Sequence, residues 1–348
     1  MWSSREGIGI RSYLIEFQQM PWAQTVISVG SKLMPDVYHP PAGVLFPYAH
    51  IVSDIAPSHV QYLYAVPSVT KFKSDIDFLC RRYRALQLSE LEGMGRHHDK
   101  RPALFFLLSF DDGMREVYDV IAPILREKGI PALFFLNSST IDNKQLMWRH
   151  KISLLVERAK QRPGQIPSAL HLRPGERLCA KLKALRSTDE HILDDVAKFF
   201  EIDFDAYLSS AKPYLTTDQV LALARDGFEF GAHSGTHPYF NELTVEDQKD
   251  QISRSVQFVR ALGLPCKYFA FPFHDNGVPA SVFRYMMDLG LVLSFGTSEA
   301  RVDSIRFSFQ RFALDAENAR LTVERLLNQL SAKSLARRLS GRETIQRN

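Results

Sequence analysis

An α/β architecture, in which a parallel sheet is wound by crossover helices, follows from three observations. Strand-like and helix-like segments alternate for most of the chain. About seven such strand–helix units can be counted, slightly short of the eight of a full barrel. Residues 138–215 break the rhythm, because a βα connection ordinarily runs to about 2–6 residues, so this stretch must carry structure of its own.

The elements can be taken in order. Gly43 to Pro47 (GVLFP) and Ala103 to Phe110 read as short buried strands, with a helix around Ser74 to Leu86 between them. From Met114 to Lys128, Val117, Val120, Ile121, Ile124 and Leu125 recur at helical spacing, and Gly129 and Pro131 close the helix. Ala132 to Leu136 is the next strand. Within the long stretch, Leu146 to Ala159 and His191 to Glu201 look helical, with hinges expected near Arg162-Pro163-Gly164 and Arg173-Pro174-Gly175. Thr216 and Gln219 form a capping box for a helix running to Asp226, after which Phe228 to Ala232 resumes as strand. Thr244 starts a helix that Gly263 and Pro265 terminate. Strand Tyr268 to Phe271, helix Val278 to Leu289, strand Leu291 to Phe295, strand Phe307 to Ala313 and helix Ala316 to Leu330 complete the series. The chain therefore divides into an N-terminal extension (1–42), a barrel (43–330) with a helical insertion (138–215), and a basic tail (331–348).

Composition narrows the class. A chain of 348 residues with 45% hydrophobic content can bury a large core. A net charge of +4, from 43 basic and 39 acidic residues, is too balanced for a nucleic-acid partner. Cys80, Cys179 and Cys266 show neither disulfide nor zinc-finger spacing and read as thiols of a reducing compartment. Glu6, Arg11 and Glu16 interrupt any export signal near the start, and no stretch reaches the roughly 20 apolar residues of a membrane span, so a cytoplasmic location is expected. The tail residues Lys333, Arg337, Arg338, Arg342 and Arg347 read as a solvated end, or as a weak peripheral attraction to anionic lipid. Nothing in the sequence signals an oligomeric state.

Two clusters carry chemistry. Asp111 and Asp112 end the apolar run ALFFLLSFDDG, where a buried strand opens into a loop. His233 and His237 stand in GAHSGTHP, where Gly231, Gly235 and Pro238 make a continuous helix unfavourable and let both rings converge from a strand-end turn. One carboxylate and two imidazoles leave coordination positions open, which suits a catalytic divalent ion. The spare carboxylate is then free to act as base. An N-cap for a helix starting near Met114 would explain one aspartate but not both.

SFDDG at Ser109–Gly113, followed by HSGTH at His233–His237 and FAFPFHDNG at Phe269–Gly277, resembles the polysaccharide deacetylase family, the NodB-homology or carbohydrate esterase family 4 group. The resemblance extends from about Gly43 to Leu330. It implies a distorted (β/α)7 barrel, with Asp111 as base and Asp112, His233 and His237 as ligands of a divalent metal, zinc first, with cobalt, nickel or manganese as alternatives. It also implies hydrolysis of an acetyl group, most often the N-acetyl of a hexosamine, with a backbone N–H near Phe273 holding the oxyanion. The family's third-motif arginine is replaced by Ala270 and its tyrosine by Phe273, so Arg311 in QRFALD is the candidate for the missing cation. The family's late histidine has no counterpart, because no histidine follows His274. His274 is the first candidate general acid and His50, in FPYAHIVSD, the second, with Tyr48 and His50 loosely similar to a Tyr-His element on the first barrel strand.

The expected activity is thus metal-dependent de-N-acetylation of a polysaccharide, lipopolysaccharide or lipid-linked glycan precursor. An O-acetyl esterase using the same residues, which would tolerate a missing acid, and a catalytically silent glycan-binding protein are the alternatives. Trp148, Tyr239 and Phe240 are candidate sugar-stacking residues, and Arg149, His150 and Lys151 candidate contacts for an anionic glycan.

Overall fold

The computed structural model describes residues 43–93 and 105–348. The N-terminal extension 1–42 and the beginning, at Ala103, of the expected second strand lie outside the described residues.

Seven staves form a parallel barrel. In chain order they are Pro47–Ala49, Leu108–Phe110, Ala132–Leu136, Glu229–Ala232, Tyr268–Ala270, Leu293–Gly296 and the segment holding Ser308–Gln310 and Phe312–Ala313. Each pairs in parallel with its neighbours in this order. The seventh closes the ring: Ser308–Gln310 pairs with Leu293–Gly296, while Phe312–Ala313 pairs with Pro47–Ala49. The chain switches partner at Arg311, whose N–H reaches the carbonyl of Gly296 just before Phe312 N–H reaches that of Phe46. The expected strand Phe307 to Ala313 is therefore two short strands about one bend. This arrangement is the distorted (β/α)7 barrel. Below it, Val44–Leu45, Phe105–Phe106 and Arg84–Ala85 make a small parallel sheet.

Ala132–Leu136 is buried on both faces, as the unbroken apolar run requires in a parallel sheet. Gly231 stands where two staves crowd together, since a Cβ there would lie 2.5 Å from the Phe135 ring and 2.8 Å from the Tyr268 carbonyl. Around the barrel, Val69–Arg82 is capped by Ser68 and starts earlier than the expected Ser74. Thr216 and Gln219 form a reciprocal capping box on Thr217–Arg225, and Thr244 caps Val245–Ala261. The helix expected from Met114 begins only at Val117, as a π-turn over Val117–Ile121 that passes into Ala122–Glu127. Pro123 accounts for the widening: it lacks an N–H and its ring clashes with a carbonyl one turn back, so the ladder opens to an i→i−5 bond from Ala122 to Val117.

Residues 138–215 contain helices Trp148–Gln161, Leu178–Ala184, Glu190–Phe200 and Phe204–Ala211. They pack a core of their own through Ile152, Leu155, Leu182, Val196 and Phe200, joined by Ile51 and Val60 from the loop after the first stave. The closing helix runs Val323–Leu339, later than expected because Ala316–Asn318 is a separate short turn. The tail departs from a solvated end. Thr344–Ile345 pairs with Val302–Asp303, and Arg347, its side chain 2% exposed, forms ion pairs with the buried Asp275 and Asp303. Among the described residues no helix is long and apolar enough to cross a membrane.

Candidate active site

The register places the first residue beyond several staves at one end of the barrel. Asp111 N–H reaches the Ala49 carbonyl, His233 N–H that of Leu136, and Leu314 N–H that of Tyr48. His50, Asp111, Asp112, His233 and Asp315 therefore gather at the carboxyl ends of the strands, the face where parallel barrels build their sites. Asp112, His237 and Phe273 all adopt left-handed backbone, with φ of 72°, 59° and 55°. Such conformations are costly for side chains other than glycine, and their concentration here marks a loop geometry over-determined by its surroundings. Gln251 supplies part of that determination by accepting from the N–H groups of Gly235 and Thr236, and Ser234 Oγ accepts from His237 N–H.

Asp112, His233 and His237, all buried, converge so that one donor atom from each lies within 4.8 Å of the others. His233 Nδ1–H donates to the Ala270 carbonyl at 2.9 Å, which leaves Nε2 as the lone-pair nitrogen. That Nε2 faces Asp112 Oδ1 at 3.4 Å, and neither atom has a hydrogen-bond partner. His237 Nε2 approaches the same oxygen at 3.2 Å. Burial holds the His237 imidazole below its ordinary pKa, against the pull of Asp112. Burial also opposes ionisation of Asp112, but His237 and His233 outweigh it and hold the carboxyl well below the usual range. A lone pair directed at a carboxylate oxygen in a dry site is repulsive unless a cation lies between them, so these residues fit a divalent ion.

Asp111 differs from its neighbour. Arg311, completely buried, donates through Nη1 to Asp111 Oδ1 at 2.7 Å and through Nη2 to Oδ2 at 2.8 Å, with Ser109 Oγ accepting from Nη1 as well. Burial would raise the Asp111 carboxyl, but Arg311 and His233 hold it below the carboxylate range. The guanidinium lies over Tyr48 and Phe135, with Cζ 4.4 and 5.3 Å from the ring centroids.

His50 and His274 are placed differently. His50 Nδ1 meets Asp315 Oδ2 at 2.9 Å, and the same oxygen accepts from His50 N–H. Burial alone would lower this imidazole, but Asp315, reinforced by Asp112 and Asp111, pushes it up to about 10. The His274 ring lies 6.1 Å from that of Tyr239, and its Nδ1 is buried without a partner. Phe273 N–H has no hydrogen-bond acceptor among the described residues, while its carbonyl accepts from Thr297 Oγ.

Above this floor stands an aromatic rim. Phe273 packs against the His237 ring at 4.6 Å and stacks on Tyr239 at 3.8 Å, and Trp148 donates from Nε1 to the His237 carbonyl. Phe240 instead packs inward against Phe269 and Phe271. His150 and Lys151 are likewise removed from the rim, because His150 bonds Tyr214 in the interior and Lys151 pairs with Glu190 and Asp194. Sequence reasoning missed Asp315 and Ser109. Their signals were only an aspartate four residues after Arg311 and a serine two before Asp111.

The fold and the site together are a parallel barrel with a buried acid–imidazole group at the carboxyl ends of its strands. The polysaccharide deacetylase family model matches residues 98–293, more than half of the chain, and the chain belongs to that family. It is thereby a hydrolase of carbon–nitrogen bonds other than peptide bonds, of a family that acts on acetylated glycans and generally depends on a divalent metal. No curated protein matches the chain in sequence. Among solved structures, the deacetylase PplD of Streptococcus pyogenes, determined with acetate, is 13% identical, with 82% of this chain and 97% of that one covered and a TM-score of 0.53. IcaB of Ammonifex degensii is 17% identical over 83% and 97%, with a TM-score of 0.51. A polysaccharide deacetylase of Bacillus cereus is 12% identical over 82% and 68%, with a TM-score of 0.51. At these identities the likeness is one of fold.

Proposed function

We propose that this chain removes the N-acetyl group from a hexosamine of a polysaccharide, lipopolysaccharide or lipid-linked glycan precursor, with zinc as its metal. The observation that carries the reading is the pair of unsatisfied, facing atoms, Asp112 Oδ1 and His233 Nε2, beside a second carboxylate locked by an arginine.

Asp112, His233 and His237 would hold the ion, which when bound polarises the acyl carbonyl and acidifies water. Asp111 accepts the proton of the attacking water, and Arg311 fixes its two oxygens and keeps it ionised. Phe273 N–H donates to the carbonyl oxygen as that oxygen gains negative charge. His50, charged and oriented by Asp315, gives a proton to the departing amine nitrogen. Its position in the field of both aspartates supports it over His274. The products are acetate and a free amine.

Acetate release by zinc-loaded protein from N-acetylated and O-acetylated oligosaccharides tests the reading. We expect turnover of the amide, a fall of about 10²–10⁴-fold in Asp111→Asn with metal retained, and about 10²-fold in His50→Gln. Turnover of the ester alone would replace the reading with an esterase, and full activity of Asp111→Asn would remove the proposed base.

A further inference from the structure

Exposed arginines such as Arg173, Arg177 and Arg284 lie in solvent and need no partner, whereas the partly buried Arg162 pairs with a carboxylate. Arg149, beside the site, is partly buried and has no such pair. It lies in the first turn of Trp148–Gln161, half-buried, with its guanidinium carbon 5.5 Å from the Trp148 ring and 5.8 Å from that of Phe273. Among the described residues it has no hydrogen bond and no ion pair. Arg186 lies 4.9 Å from the Tyr239 ring of the same stack, and its one carboxylate partner, Glu242, is partly exposed. Two guanidiniums thus lie against the Tyr239–Phe273 stack with a single carboxylate between them. The Phe273 ring is shared by both groups, 4.6 Å from the His237 imidazole and 5.8 Å from the Arg149 guanidinium carbon.

Drawing a cation partly out of water without an opposite charge is unfavourable, and a neutral sugar would not repay it. A guanidinium fork is complementary to the paired oxygens of a phosphate or a carboxylate. We propose that the substrate carries such an oxyanion beside its acetamido sugar, and that Arg149, supported by Arg186, receives it over the Tyr239–Phe273 platform. This inference rests on the deacetylase reading above and adds the charge of the substrate to it.

Three acetamido substrates of equal length separate the possibilities: a neutral N-acetylglucosamine oligosaccharide, one bearing a 1-phosphate, and one with an adjoining uronate. For the wild type, kcat/KM is expected to be at least about tenfold higher for one of the charged substrates, and which one identifies the source of the oxyanion. Arg149→Ala should abolish that preference and Arg149→Lys should retain part of it. Lys198→Ala, which removes an exposed positive charge elsewhere on the insertion, should leave the preference intact. Salt at about 0.5 M should weaken it. Equal kcat/KM for all three substrates, or an Arg149→Ala loss shared equally by them, overturns the proposal. If none is turned over, the deacetylase reading falls, and calorimetry decides the anion site separately. Tighter binding of the 1-phosphate or the uronate than of the neutral sugar, lost in Arg149→Ala, supports it, and equal binding overturns it.

Discussion

The floor and the rim of the site are made from the same groups, guanidinium, imidazole and aromatic ring, yet treat charge in opposite ways. On the floor, Arg311 is completely buried and both of its terminal nitrogens are taken by Asp111. On the rim, Arg149 rests on aromatic faces with no carboxylate of its own. A closed charge network keeps its protonation states whatever arrives, which suits a constant chemical step. Open charge is completed only by a ligand, which suits selection. The division assigns large, substrate-independent losses to floor substitutions and small, substrate-dependent ones to the rim.

The largest effect is expected from Asp112→Ala, which removes one of three candidate donors and leaves two imidazoles. Bound metal should be lost and acetate release should fall by about 10³-fold or more, as expected when a metal centre is dismantled. Metal content by atomic emission, alongside initial rates, checks this, and chelation of the wild type should reproduce the loss reversibly. Retention of full metal and rate in the variant would dissolve the proposed floor.

Arg311→Met comes next, with a fall of about 10²-fold near neutral pH. Without the guanidinium, the largest opposition to burial is gone and only His233 and His50 still lower the Asp111 carboxyl, so it should rise and the acidic limb of the pH–rate profile should move to higher pH. Stability follows the same sign. In the wild type the lowered carboxyl stabilises the fold above its unfolded value of about 3.9, and that contribution is lost as pH falls through the folded value. The variant, carrying an unpaired buried carboxylate, should lose about 3–5 kcal/mol at neutral pH and less in acid, as measured by urea unfolding at two pH values.

These two cases differ in how far the sequence announced them. Asp111 and Asp112 could be read because an apolar run cannot end in two acids without a reason, and His233 and His237 because glycine and proline exclude a helix between them. The Thr216–Gln219 box and the strand Ala132–Leu136 were equally plain, since local capping and continuous burial fix them. Arg311 was a candidate only through the family resemblance and its missing third-motif arginine, because its pairing with Asp111 spans 200 positions and depends on where one stave changes partner, which no local pattern records. Arg347 is the same case in the tail. It looked like a solvated charge until the fold brought Asp275 and Asp303 beneath it. The late start of the helix after Met114 was legible only in part, as Pro123 was visible but the π-turn it produces depends on the surrounding packing.

Asp315→Asn probes the edge between floor and rim. Asp315 pushes the His50 imidazole up to about 10, so its neutral replacement should let burial lower that imidazole. The alkaline limb of the rate profile should then move to lower pH, with a fall of about tenfold near pH 8. The raised imidazole contributes stability fully below its unfolded value of about 6.5 and loses it as pH rises through about 10. The variant's stability deficit should therefore shrink at high pH. An alkaline limb that does not move would assign the acid to another group.

The smallest effect is expected from Trp148→Phe. Trp148 is 3% exposed, and its Nε1–H donates to the His237 carbonyl at 2.9 Å, the hydrogen bond that ties the first turn of the insertion to the loop carrying a candidate ligand. Phenylalanine keeps an aromatic ring beside Tyr239 and Phe273 but leaves that carbonyl without its donor, at a cost of about 1 kcal/mol. For a chain of this size that corresponds to a midpoint lower by roughly 2 °C. We expect kcat/KM to fall about threefold, mostly through KM, because the platform shifts while Asp112, His233 and the His233–Ala270 bond are untouched. Metal content is the deciding measurement: unchanged binding keeps floor and rim separable, whereas release of the ion would mean that the insertion holds His237 in place and that the two regions act as one.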